Sequence, residues 1–153
     1  MPKQQTINKP VSLKGVGIHT GDEVNLTFKP AKENYGYCFC RTDLPEKPII
    51  EANIKYVVNT ERGTNLDKNG IKIKTSEHVL AALVGMEIDN VLIEIDAAEP
   101  PIMDGSAKFF VEALQKAGIK QQKLERNEYV VKDVISYHDQ KSGSDITVIP
   151  SNN

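Results

Sequence analysis

The sequence predicts an α+β domain. Its first 75 residues read as strands and turns, and the stretch from Ser76 to Gly118 then reads as helix, strand and helix. Strands gathered ahead of two helices, with an apolar strand between the helices, fit a sheet that carries a helical layer.

The pattern starts with a strand-like stretch over residues 6–18. Residues 23–28 continue it, with Val24, Leu26 and Phe28 alternating with polar neighbours and so marking one buried face. Residues 35–42 are another strand candidate, and Pro45 and Pro48 interrupt the chain beyond it because proline donates nothing to a ladder. Asn69-Gly70 tolerates the left-handed backbone of a tight turn, which predicts a hairpin between residues 62–66 and 71–74. From Ser76 onward, Val79, Leu80, Leu83 and Val84 recur on one helical face, with Thr75 or Ser76 as the N-cap and Gly85 near the end. Residues 90–96 are apolar on both faces, as a central strand requires. After Pro100-Pro101, Asp104 is placed to cap a second helix running to Gly118, with Phe109, Phe110, Ala113, Leu114 and Ala117 as its apolar stripe.

A polar linker, Lys120-Gln121-Gln122-Lys123, leads into residues 129–137 and 145–149, which pair as a hairpin around Lys141-Ser142-Gly143-Ser144. A lone hairpin is only marginally stable in water. The expected division is therefore a first domain over residues 1–124 and the truncated opening hairpin of a second over residues 125–153.

Composition narrows the function. A net charge of −2 with both signs interspersed gives no basic field for phosphates, so nucleic acid is not an expected partner. The apolar runs fall far short of the roughly 20 residues that span a bilayer, and the polar start resembles no signal peptide. A cytoplasmic protein is expected. Cys38 and Cys40 alternate along a strand, where a disulfide between them would be strained, so they read as reduced packing thiols.

Chemistry concentrates in Thr75-Ser76-Glu77-His78 at the start of the first helix. A neutral imidazole nitrogen ligates zinc, and a neighbouring carboxylate can take a proton from water activated by the metal. Consecutive helical residues differ in direction by about 100°, so Glu77 and His78 cannot both chelate like an i, i+4 pair but can approach one water from two sides. Taken alone, a histidine at a helix start is more often a hydrogen-bonded core or surface residue than a metal ligand.

Three ordered motifs add to this. Gly15-Val16-Gly17-Ile18-His19-Thr20-Gly21, Lys74-Thr75-Ser76-Glu77-His78-Val79-Leu80-Ala81-Ala82-Leu83, and Ile88-Asp89-Asn90-Val91 through Pro101-Ile102-Met103-Asp104-Gly105-Ser106-Ala107 together resemble the UDP-3-O-acyl-N-acetylglucosamine deacetylases, the zinc enzymes of lipid A biosynthesis. The resemblance covers the chain in order but only the amino-terminal half of such an enzyme. It implies a sheet with two helices packed on one face, one half of a two-domain β-α-α-β sandwich. It further implies Glu77 as general base and His78 as one Zn2+ ligand, with a histidine and an aspartate of the second domain completing the set beyond Asn153. On that reading the isolated chain is inactive. Some relatives also carry a fused acyl-carrier-protein dehydratase.

The resemblance brings His19, Thr60 and Arg62 to the substrate side of the cleft, His19 facing a phosphate or sugar and Arg62 acting as a donor. A turn histidine and a solvated strand-end charge are the competing readings of His19 and Arg62. Asp104 reads as a helix cap and His138 as a solvated hairpin residue. The alternative function is a non-enzymatic domain that binds a partner or a second copy of itself. It would use a stripe of Leu80, Leu83, Phe109 and Leu114 left exposed by a missing second domain.

Overall fold

Alternating apolar residues build a ladder of strands, described over residues 2–151 in a computed structural model. In chain order the elements are β1 (Lys3–Ile7), β2 (Val11–Val16), β3 (Glu23–Pro30), β4 (Tyr37–Arg41), β5 (Ile49–Glu51), a 3-10 turn (Ile54–Tyr56), β6 (Val57–Asn59), β7 (Asn65–Lys68) and β8 (Ile71–Ile73). They continue as α1 (Glu77–Gly85), β9 (Val91–Ile95), α2 (Lys108–Ala117), β10 (Ile119–Glu125), β11 (Ile135–Asp139) and β12 (Ser144–Val148).

The main sheet has the order β2-β3-β9-β4-β5, parallel only between β4 and β9. Its register sets Val11, Phe28, Ile93, Phe39 and Ile50 in one row across all five strands. Phe28, Ile93, Phe39 and Ile50 are fully buried there, whereas the opposite face carries the Lys29–Glu94 ion pair and the Ser12–Thr27 hydroxyl contact. The period of two thus decides which face receives the helices. Phe110 of α2 meets Phe28 edge to face, and Val79, Ala82 and Leu83 of α1 join the same core. Each large side chain buried there contributes roughly 1.5–3 kcal/mol.

The α+β class and the central place of residues 90–96 hold as expected, and several details change. The stretch 6–18 is two strands, broken at Asn8-Lys9-Pro10, with β1 leaving the main sheet to pair with β10. Residues 120–123 are not a linker but lie within β10. Their polarity hid the strand, because the stabilisation there is backbone pairing to β1 rather than an apolar alternation. At three residues each, β5 and β6 are too short to show a period. Asn69 and Gly70 take φ values of 56° and 83°, as the predicted two-residue turn requires.

Asp104 does not cap α2. Its Oδ1 accepts the Ser106 amide and hydroxyl, and Ser106 Oγ in turn accepts the Lys108 amide. The expected exposed stripe is also corrected: Leu83 and Leu114 are fully buried against the domain's own sheet. The large apolar side chains that α1 and α2 leave outward are Val84 and, in part, Phe109.

Asn90 explains the Ile88-Asp89-Asn90-Val91 motif. Its buried Oδ1 accepts the Tyr35 and Gly36 amides at 2.8 and 2.9 Å, while Nδ2 donates to Gln4 and Gln122, each at 2.8 Å. One side chain thereby ties the β3–β4 turn to both strands of the β1–β10 pair. Asp89 beside it takes two hydrogen bonds from Arg126 and one from the Gln5 amide.

Side chains of β11 and β12 are mostly exposed, and His138 Nδ1 pairs with Asp145 at 2.6 Å across the hairpin. Cys38 and Cys40 are buried free thiols. Among the described residues no helix is long and apolar enough to cross a membrane.

Candidate active site

The start of α1 is shaped by what its hydroxyls do. Ser76 occupies the N-cap position without capping: its Oγ donates to the Thr64 carbonyl at 2.9 Å, and its amide donates to the same oxygen at 3.1 Å. Thr75 does not cap either. It sits at φ 49°, a left-handed conformation that a β-branched residue adopts only when its surroundings hold it there. Its amide donates to Asn65 Oδ1 at 3.2 Å and its hydroxyl to Glu99 Oε1 at 2.7 Å. Strain of this kind costs about 1–3 kcal/mol and gathers at functional sites.

The sharp turn delivers Glu77 and His78 to the first turn of α1, both half-buried. Glu77 Oε2 accepts the Thr64 amide at 2.7 Å, and Oε1 has no hydrogen-bond partner among the described residues. Gly63 lets the chain pass close by, since a methyl group there would lie 3.3 Å from both Glu77 Oε1 and Thr75 Oγ1. The His78 ring likewise has no hydrogen bond or ion pair among the described residues. Those residues contain no cluster of three or more His, Cys, Asp or Glu side chains able to hold a metal.

Behind this turn lies a residue that sequence reasoning missed. Glu99 is fully buried, and its Oε2 accepts the His19 and Thr20 amides at 2.9 Å each while Oε1 takes the Thr75 hydroxyl. Two glycines of the first motif make room for this segment. A methyl group on Gly17 would lie 2.7 Å from Glu99 Oε2, and one on Gly15 would lie 2.8 Å from Pro101 Cβ. The only sequence signal was an acidic residue between alanine and proline in an otherwise apolar turn. Burial alone pushes the Glu99 carboxyl upward, but the bonds from Thr75, Thr20 and His19 together outweigh it and hold the group below its ordinary value.

A carboxyl depressed in the folded state adds stability above its unfolded pKa and loses it as pH falls through the folded value. We therefore expect the thermal midpoint to drop on acidification below about pH 4, the ordinary carboxylate range. Glu99→Gln should flatten that drop, as a melting series across pH would record; an unchanged acid limb would refute it.

His19 is exposed, and its Nε2 donates to the Arg62 carbonyl at 3.2 Å, which leaves Nδ1 as the ring's open nitrogen. His19, Arg62 backbone, Thr64, Thr75, Glu77 and Glu99 thus form one neighbourhood. Arg62 adopts φ 60°, and its side chain and Thr60 are exposed on the loop that follows β6. Thr60 makes no hydrogen bond to the cluster.

The description UDP-3-O-acyl N-acetylglycosamine deacetylase belongs to the family model that matches residues 4–153. The chain belongs to this family. It is 46% identical over 147 residues to the bifunctional enzyme LpxC/FabZ of Chlorobaculum tepidum, covering 96% of this chain and 32% of that protein. It is 42% identical over 144 residues to the UDP-3-O-acyl-N-acetylglucosamine deacetylase of Myxococcus xanthus, covering 94% of this chain and 46% of that one. The deacetylase of the same name from Psychrobacter sp. is 48% identical over 120 residues, 78% of this chain and 40% of its own length. The chain thus spans 32–46% of the length of these curated relatives.

Proposed function

We propose that this chain supplies the general base and one zinc ligand of an enzyme that removes the 2-N-acetyl group from UDP-3-O-acyl-N-acetylglucosamine in lipid A biosynthesis. The observation that carries the reading is the half-occupied carboxylate of Glu77. Its Oε2 is held by the Thr64 amide, and Oε1 is left open beside a histidine without a competing partner.

His78 fits the metal as a donor. A half-buried imidazole free of internal hydrogen bonds suits zinc, but one histidine is a fraction of the three protein ligands typical of a catalytic site. The remaining ligands are proposed to come from a second domain that the β11–β12 hairpin would open. Zinc held there would polarise the acetamide carbonyl and make water more acidic.

Glu77 performs the proton work. Its Oε1 takes a proton from water as the water oxygen bonds to the acetyl carbon, and the Thr64 amide keeps the carboxylate from swinging away. The carbon–nitrogen bond then breaks, the proton passes to the departing nitrogen, and acetate and a free amine leave. His19, through its open Nδ1, and Arg62 and Thr60 on the adjoining loop are proposed to face the sugar nucleotide.

Metal binding tests this directly. The protein that joins this chain to its second domain should hold one zinc, and His78→Ala should weaken binding by more than about 10²-fold, beyond what loss of a supporting contact costs. Full zinc retention by that variant, measured by chelator competition, would sink the assignment. The 153-residue chain alone should release no acetate.

A further inference from the structure

The oxygens of Glu99 are divided between two segments that border the proposed base. Oε2 takes the His19 and Thr20 amides, and Oε1 takes the hydroxyl of Thr75, two residues before Glu77. From His19 the connection continues through its ring to the Arg62 carbonyl, and from Thr64 to Glu77 Oε2 at 2.7 Å. The chain from Thr75 to Glu77 closes the circuit.

We infer that Glu99 is a positioning residue for the hydrolysis, locking the His19 loop and the base-bearing turn at one fixed spacing. The inference rests on the reading of Glu77 as the base. A carboxylate suits the place because three donors converge on a group with no access to water, and a neutral apolar side chain would leave two amides without acceptors. Thr75 gives the arrangement its consequence. Its left-handed backbone at φ 49° is unfavourable by itself, so releasing its hydroxyl lets the turn relax and carries Glu77 away from its setting.

The packing of Gly17 against Glu99 supports the same conclusion. A methyl group at Gly17 would lie within 2.7 Å of Glu99 Oε2 and 2.5 Å of Thr20 Oγ1, so the loop is fitted to the carboxylate rather than merely near it. Glu99 itself does not touch the reacting atoms in this scheme. It acts through His19 and Thr75.

The test uses the zinc-loaded protein that carries this sequence, with Glu99→Ala, Glu99→Gln and Thr75→Val, and Glu77→Ala as the control. Acetate release gives kcat and KM, and amide hydrogen exchange at His19, Thr20 and Thr64 gives a readout independent of catalysis. Glu99→Ala should lower kcat about 10²-fold, the scale of a 1 Å misplacement, and speed exchange at all three amides. Glu99→Gln should recover most of kcat, because its amide oxygen can take the two backbone donors while its amino group donates to Thr75 Oγ1. Thr75→Val should lower kcat with the His19 and Thr20 amides still protected.

A folded Glu99→Ala protein with unchanged kcat, beside an inactive Glu77→Ala, overturns the positioning role and leaves the base assignment standing. Should Glu99→Ala fail to fold, unchanged kcat in Thr75→Val overturns it equally. Losses in Glu99→Ala and Glu99→Gln that merely track their melting temperatures, with no recovery by glutamine, also overturn it. An active Glu77→Ala removes the base reading on which the role depends, whatever the exchange data report.

Discussion

Glu77→Gln should lower the rate of acetate release by about 10³-fold, within the range a positioned general base contributes, in a protein that still folds. The two halves of that expectation come from the two oxygens of one carboxylate. Glutamine can turn its amide oxygen to the Thr64 amide and so keep the contact that anchors the loop to α1. Its other terminus is then an amino group where the open Oε1 stood, and an amino group cannot accept water's proton. KM should change little, since the lost interaction belongs to the reacting water rather than to the sugar nucleotide. Steady-state kinetics on the zinc-loaded protein, with a melting curve as the control, make the measurement. A variant that keeps wild-type kcat would remove Glu77 from the reaction.

Asn90→Ala should cost about 4 kcal/mol of stability, taking roughly 1–3 kcal/mol for each buried polar group left without a partner. The Gly36 amide and the Gln122 side-chain oxygen lose the partner that Asn90 supplied, whereas the Tyr35 amide keeps the Lys32 carbonyl at 3.3 Å and Gln4 Oε1 keeps the Asn34 amide at 2.9 Å. Against a typical total of about 5–15 kcal/mol, such a loss should move the urea midpoint far down. Asn90→Asp keeps an acceptor for the two amides and should recover part of the loss. A cost for alanine below about 1 kcal/mol would mean that water replaces the asparagine, contrary to its complete burial. The site lies some way along the chain from Asn90, so this variant should be read in stability before it is read in rate.

Much of the fold was legible because its signals are local. The alternation of Val24, Leu26 and Phe28 reports a face, and the two helices announce themselves through apolar spacing. Asn69-Gly70 specifies its turn through the backbone alone. The polar strand β10 was illegible for the opposite reason, since its partner β1 lies more than a hundred residues away and no apolar alternation marks it. The caps were misread on similar grounds. Thr75, Ser76 and Asp104 are the residue types that cap helices, but each hydroxyl or carboxylate found a partner elsewhere, and sequence does not say which of two available partners lies nearer.

The same division runs through the site. Glu77 and His78 stand out in the sequence because they are adjacent, chemically competent and set at a helix start. Glu99 does not, because its importance lies in accepting donors from residues 19, 20 and 75, separated from it by between 24 and 80 positions. The exposed apolar stripe expected from Leu83 and Leu114 failed because periodicity identifies a buried face without identifying what buries it, and here the domain's own sheet does.

By itself, then, the sequence determined the apolar strands and the two helices, the face each of them buries and the adjacent Glu77 and His78 at a helix start, all consequences of side-chain period and chemistry along neighbouring positions. Only the tertiary structure decided which hydroxyl meets which carbonyl, that Thr75 is held in a left-handed turn, and that Glu99 joins the His19 loop to the turn that carries Glu77. Those outcomes depend on distances between segments far apart in the chain, which are fixed by close packing of the core and by the need of every buried donor for an acceptor.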